Sequence, residues 1–336
     1  MTTDNPSVPF PPLSQTADGQ ERRVGVEIEF AGLSVAQVAD IVAKQLRGEL
    51  RPVSEYEIYV DGDPAGEWEV ELDFAYLKER AREQGEAEDT LLGAVGEAAE
   101  SVLRAGAELL VPVEVVSPPL PLSALSCMET LIEALHRAGA RGTGEHFAYA
   151  FGMHLNPEMP ALDGATVTRY MKAYACLYDW LVMRSSLDTT RQLTPYIEPF
   201  RAAYTALLVN PAYQPDLQQL IDDYLEHNPT RNRALDMLPL FAHLDEARVR
   251  AVVDDPRINP RPTLHYRLPN CEIERADWSF SHAWLDWLQV EHLADDGERL
   301  NEICRSFTRF LTAADPAAET PWSEQVQPWL VARDDL

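Results

Sequence analysis

Val24-Gly25-Val26-Glu27-Ile28-Glu29-Phe30 alternates without a break between large apolar residues and Gly or Glu. Period-two alternation marks a β-strand, because successive side chains leave opposite faces. Val24, Val26, Ile28 and Phe30 therefore share one face, and Gly25, Glu27 and Glu29 share the other. Two carboxylates two residues apart on one strand face sit roughly 7 Å apart at the usual rise. On a solvated face such a pair is ordinary. On a strand framed by four apolar residues the pair repels itself unless cations neutralise it.

Working outward, Ser34 caps a predicted helix whose apolar positions Val35, Val38, Ala39, Val42 and Leu46 follow the 3.6 period, with Gly48 as its stop. Strands are expected at 56–61 and 67–74, joined by the turn-rich Asp61-Gly62-Asp63-Pro64-Ala65-Gly66. In the second of these, Trp68, Val70, Leu72 and Phe74 alternate with Glu67, Glu69, Glu71 and Asp73. Helical patterns cover 75–105 and 121–139, with a strand over Leu109–Val116 between them. A strand over 145–156, a long helical stretch over 165–255 with Pro breaks, a strand over 263–275 and Trp-rich helices complete the chain. The spacers are too irregular for successive βαβ units, so the fold class expected is α+β with a largely antiparallel sheet, flanking helices and a helical insert.

The chain has 336 residues, with 28 Lys and Arg against 55 Asp and Glu and a net charge of −27. That balance argues against binding a nucleic-acid backbone, which needs Lys and Arg at the phosphates. A nucleotide is still compatible, because metal ions supply positive field locally. The N-terminal residues 1–22 are rich in Pro and Ser, lack a signal-peptide pattern and read as a flexible leader. No apolar run is long enough to span a membrane. Cys127, Cys176, Cys271 and Cys304 show no CxxC pattern and read as reduced core thiols, which suits the cytoplasm.

Three further segments carry candidate chemistry. In Phe151-Gly152-Met153-His154-Leu155-Asn156 the bulky residues fall on one face, and Gly152, His154 and Asn156 fall on the other. That second face, extended back through Ala150, Ala148 and His146, leaves room for a ligand. Glu114-Val115-Val116-Ser117-Pro118-Pro119-Leu120 is an acid-bearing strand ending in a Pro-enforced turn. In Leu264 to Arg275, His265 and Arg267 share a face, and an acid-rich segment with Glu272 and Glu274 ends in Arg275. GxSxG, HExxH, GxGxxG and P-loop motifs are absent, which leaves hydrolase, Rossmann and P-loop readings unsupported.

In this order, VGVEIEF (24–30), EVVSPPL (114–120), FGMHLN (151–156) and the Arg/Glu strand 265–275 resemble the amidoligase family. That family is a branch of the glutamine synthetase and glutamate–cysteine ligase superfamily of carboxylate–amine ligases. The resemblance covers about residues 22–290, and the segment Asn228 to Asp236, read as helical, also looks like part of the pattern. It implies a glutamine synthetase/glutamate–cysteine ligase-type sheet, with the first part of the catalytic domain over 23–160, a helical insert over 161–260, and the closing strand and C-terminal helices of the catalytic domain over 261–336.

It also implies ATP- and Mg2+-dependent joining of a small-molecule or peptide carboxylate to an amine or ammonia through an acyl phosphate. By that resemblance Glu27, His154 and an acid of 272–274, Glu272 foremost, would hold one metal. Glu29 and Glu114 would hold a second, joined by Glu71 or Asp73. Arg275, Arg267 or Arg231 would neutralise the transferred phosphoryl group or clamp a carboxylate. Arg231 and Asn156 would help hold the nucleotide. The family's late strand carries an acid two residues before an arginine; before Arg275 that position is Ile273, which cannot be a ligand. The alternative is an inactive relative that binds a nucleotide or peptide.

Overall fold

The computed structural model describes residues 8–54, 56–72, 112–142, 151–185, 197–313 and 320–336. Among them, nine strands form one sheet and nine α-helices accompany it. The strands are β1 (Arg23–Phe30), β2 (Glu49–Pro52), β3 (Glu57–Asp63), β4 (Gly66–Leu72), β5 (Val113–Val116), β6 (Leu120–Pro121), β7 (Met153–Pro157), β8 (Leu235–Asp236) and β9 (His265–Tyr266). Their spatial order is β2-β3-β4-β5-β1-β7-β9-β8, with β6 paired to the start of β1, and every pairing is antiparallel. The expected mixed chain with a large antiparallel sheet is what the molecule shows.

β1 lies inside the sheet, between β5 and β7, as its apolar frame demands. Val24, Val26, Ile28 and Phe30 are buried, and the same core face carries Ile58, Val60, Trp68, Val70, Val113, Val115, Met153 and Leu155. α1 (Val35–Leu46) covers β3 and β4 and packs on α2 (Cys127–Ala138). Ser34 and Gln37 form the reciprocal capping box. The left-handed residue that ends α1 is Arg47, not Gly48. Gly48 instead lets β3 come close, since a Cβ there would lie 2.4 Å from the Asp61 carbonyl.

The segment expected to be mostly helical supplies α3 (Gly164–Arg184), α4 (Ala202–Leu208), α5 (Leu217–His227) and α6 (Leu238–Arg250), and also β8. The run from Asn228 to Asp236 is loop and strand, not helix; Pro229 clashes with a continuing helical turn. The last strand is also less regular than the 263–275 expected: His265–Tyr266 is its continuous part, isolated bridges join Thr263 to Glu158 and Asn270 to Gly152, and Glu272 to Arg275 form a turn. Pro269 interrupts the ladder there, having no N–H to give. α7 (Phe280–Asp295), α8 (Gly297–Leu311) and α9 (Trp322–Gln325) close the chain. The helical pattern at 75–105 and the residues from His146 to Ala150 lie outside the described residues.

Residues from the expected leader are seated against this body. Val8 is buried, and the Pro9 carbonyl accepts a bond from Trp284 Nε1 at 2.8 Å. Arg22 is buried with Glu291 in a two-pronged ion pair, 2.9 and 2.8 Å. Tyr170 and Trp287 donate to the same carboxylate. Glu291 thus ties the start of β1 to α3 and α7.

Candidate functional site

The register of the sheet places the polar residues of five strands side by side. Across β1 and its neighbours, Glu27 stands opposite His154 on β7 and Val116 on β5. One step along, Glu29 stands opposite Glu114, which faces Glu71 on β4, which faces Glu57 on β3. Directly opposed residues in antiparallel strands have Cα atoms about 4.5–5.5 Å apart. A row of four carboxylates at that spacing is a strongly negative strip, favourable only where cations or hydrogen bonds answer it. Asp73 lies outside the described residues.

Glu27 is the organising residue. Its Oε2 accepts from His154 Nδ1 at 2.9 Å, and its Oε1 accepts from Asn156 Nδ2 at 2.9 Å. Burial acts to raise its pKa, but the imidazoles of His265 and His154 and the Arg261 guanidinium outweigh burial and hold it well below the usual carboxylate range. Gly25 faces Asn156, where a Cβ would touch the Asn156 Cβ at 3.4 Å and its amide nitrogen at 3.6 Å. Glu29 Oε2 accepts from the Gly152 backbone N–H at 2.9 Å. Its Oε1 lies 3.7 Å from His154 Nε2.

On the other flank, β8 and β9 bring a cationic group to the same face. His265 pairs with Asp236, and Arg267 follows on the same side, its Nη2 3.8 Å from Asp236 Oδ2. Arg261 reaches in from the preceding loop, donating from Nη2 to Asn156 Oδ1 at 2.8 Å and from Nε to Thr263 Oγ1 at 3.2 Å. Burial raises the Asp236 pKa against the pull of Arg267. Burial and then the neighbouring Arg267 lower that of Arg231, whose Nε has no hydrogen-bond partner among the described residues. Burial and the adjacent Arg267 push His265 well below the ordinary imidazole value.

Among the described residues, two three-residue groups have ligand atoms within 4.8 Å of one another: Glu27 with His154 and His265, and Glu29 with Glu114 and His154. The oxygen-rich second group suits Mg2+, a hard ion that takes carboxylates and keeps waters. A cavity of about 340 Å³ opens at the start of β1, lined in part by Gly25, Glu27, Asn156, Glu158 and Arg261.

The structure gathers Glu27, Glu29, Glu114, His154, Asn156 and Arg267 on this face, with Arg231 close enough to Arg267 and Asp236 to feel their charge. Glu272 and Arg275 are not gathered. The Arg275 side chain is half exposed and bonds Glu272 and Asp277, and both Glu272 and Arg275 line a different cleft with Arg184, Trp278 and Asp286. The strand that would have aimed them inward ends at Tyr266. The residue two before an arginine on the real late strand is His265, ahead of Arg267. Arg261 and Asp236 carried no periodic signal, Arg261 sitting between two prolines.

No helix among the described residues is long and apolar enough to cross a membrane. No curated protein and no solved structure matches the chain. The profile of a family described as "Putative amidoligase enzyme" matches residues 20–289, more than half of the chain, and that stretch includes every residue of this face. The chain therefore belongs to the amidoligase family, and a ligase forming amide bonds is the activity that family name carries.

Proposed function

We propose that this chain is an ATP- and Mg2+-dependent carboxylate–amine ligase working through an acyl phosphate. The observation that carries this reading is the opposition, on one sheet face, of an acidic flank (Glu29, Glu114, Glu71) and an arginine flank (Arg231, Arg261, Arg267), with Glu27, His154 and Asn156 between them. Phosphoryl transfer needs little covalent help from the protein; it needs charge neutralisation and alignment from both sides. Bound Mg2+ would neutralise the phosphate oxygens from the acidic side. Glu29 and Glu114 would hold it, Glu29 being fixed by the Gly152 N–H. Arg267 and Arg231 would grip the transferring phosphoryl group or the substrate carboxylate from the other side, their planar guanidinium groups matching either anion.

In the proposed sequence a substrate carboxylate oxygen attacks the γ-phosphorus and the bond to ADP breaks. The amine nitrogen then attacks the acyl carbon, inorganic phosphate leaves with its bridging oxygen, and one proton passes from the amine to solvent. The unbridged thiols Cys127, Cys176, Cys271 and Cys304 suit a cytoplasmic enzyme of this kind.

The test uses hydroxylamine, which converts an acyl phosphate to a hydroxamate. With ATP, Mg2+ and a panel of amino-acid and peptide carboxylates, the reading expects hydroxamate and ADP in equal amounts, absent in Glu29→Gln. Nucleotide hydrolysis without hydroxamate, or no turnover with any carboxylate, would contradict it.

A further inference from the structure

We infer that His265 is a metal ligand, so that the Glu27–His154–His265 group takes a borderline transition cation such as Mn2+ or Zn2+ in preference to Mg2+. The inference rests on the ligase reading only in taking this face to bear metal.

Hydrogen-bond logic fixes the ring. Glu27 Oε1 accepts from Asn156 at 2.9 Å, so Asn156 turns its NH2 toward that oxygen. The Asn156 carbonyl oxygen then faces His265 Nδ1 at 2.6 Å and Arg261 Nη2 at 2.8 Å. An oxygen cannot donate, so His265 Nδ1 must carry the proton. The 3.2 Å approach of Arg261 Nη2 to the same Nδ1 is then a contact between two donors serving one acceptor, not a bond. Among the described residues every polar contact of the ring thus engages Nδ1, and Nε2 keeps its lone pair. An imidazole whose Nδ1–H is held by a carbonyl oxygen and whose Nε2 is open is the usual arrangement of a metal-binding histidine.

The ring is also firmly held. His265 is buried, paired to Asp236, and set edge-on to His154 with ring centres 5.3 Å apart. Tyr266, next in the chain, is locked between Leu155 and Leu235 on the opposite face. One nitrogen of each ring and a Glu27 oxygen lie within 4.8 Å of one another, and metal–ligand bonds of about 2.0–2.2 Å put ligand atoms up to about 4.4 Å apart, so the group closes on a cation with a small movement of the side chains that presents Nε2. The donor set is two nitrogens and a carboxylate. Imidazole suits Zn2+ and the later transition ions, and Mn2+, though mainly an oxygen-site ion, still accepts imidazole more readily than Mg2+, which prefers oxygen throughout. The same position occupied by an acid would have made the group oxygen-rich and left Mg2+ unopposed. His154 belongs to both groups, so a cation on Glu27 and His265 that takes His154 leaves Glu29 and Glu114 as an all-oxygen pair for Mg2+.

Titration of the full-length protein with Mn2+ alone and with Mg2+ alone, without nucleotide, tests this. Wild type, His265→Ala and the more conservative His265→Gln are compared after circular dichroism has confirmed their folding. The expected result is that Mn2+ affinity falls about tenfold or more in both variants while Mg2+ affinity stays within about twofold. Pulsed EPR of Mn2+-loaded wild type should show coupling to two imidazole nitrogens, one of them missing in the variants; the wild-type spectrum needs no mutant to fold. A single coupled imidazole in wild type, or unchanged Mn2+ affinity in both variants, overturns the inference. If in that case Mg2+ still binds, the ligase reading stands; if wild type binds neither cation, both fail.

Discussion

Replacing Glu27 by Gln removes one charge and adds an NH2 group where the surroundings offer only donors. In the wild type both carboxylate oxygens are acceptors, for His154 Nδ1–H and Asn156 NH2. Glutamine can answer one of them; the other meets an NH2 group. Asn156 cannot turn over to relieve the clash without presenting its own NH2 to His265 and Arg261, which also donate. One charge-assisted bond is lost, a second becomes neutral, and a buried donor goes unsatisfied, for a net cost of about 3 kcal/mol. Unfolding entropy for 336 residues is about 0.7 kcal/mol/K, so Tm should fall by about 4 °C in metal-free protein.

The pH dependence has a definite sign. A carboxyl whose folded pKa lies below its ordinary 4.5 stabilises fully above that value and loses the contribution as pH falls through the folded pKa. The gap between wild type and Glu27→Gln should therefore be constant from pH 6 to 8 and shrink below about pH 4. Glu29→Gln is the internal control. It keeps an acceptor for the Gly152 N–H and relieves repulsion from Glu114, so its metal-free Tm should match or slightly exceed wild type. Differential scanning calorimetry in chelator reads all three proteins. A Glu27→Gln variant as stable as wild type, or one as harmless as Glu29→Gln, would refute the hydrogen-bond network assigned to Glu27.

Other outcomes follow from the same contacts. Glu291→Gln strips the buried Arg22 of its counter-charge, and denaturant titration should show a loss of about 3–5 kcal/mol, far more than at an exposed pair such as Arg51 and Asp61. Arg275→Ala should leave amide formation within about twofold of wild type, because among the described residues Arg275 bonds only its turn neighbours and solvent surrounds half of it; a loss beyond tenfold in steady-state rate would restore it to the site. Arg267→Lys keeps charge but not the planar fork, so ADP release should slow by about tenfold or more, and unchanged kinetics would remove Arg267 from phosphate or carboxylate binding.

The reach of the sequence can be judged residue by residue. Where alternation was strict, as at Val24 to Phe30 and Trp68 to Leu72, both the strands and their polar faces were legible, because burial on one side enforces a period of two. The same logic put His154 and Asn156 on the face of Glu27. Legibility ended where pairing was brief. β8 and β9 are two residues each, too short for periodicity to register, so the segment around Asn228 to Asp236 passed as helix and the late strand was drawn through to Arg275. That overextension aims Glu272 and Arg275 at a face they do not reach, while His265, legible only as sharing a face with Arg267, is placed by register with Asp236 and the Asn156 bond. Arg261 is placed by a loop running back across β7 from Thr263, a tertiary fact with no local signature.

Thermal stability of wild type and Glu29→Gln with ATP, with Mg2+ and with both tests the central claim most directly. Ligand at a hundredfold excess over Kd stabilises the folded state by about 2.7 kcal/mol, or about 4 °C here. The account predicts a shift of that order in wild type that requires ATP and Mg2+ together and disappears in Glu29→Gln. The same shift with either ligand alone, its survival in Glu29→Gln, or no shift at all would contradict a metal–nucleotide site on this face.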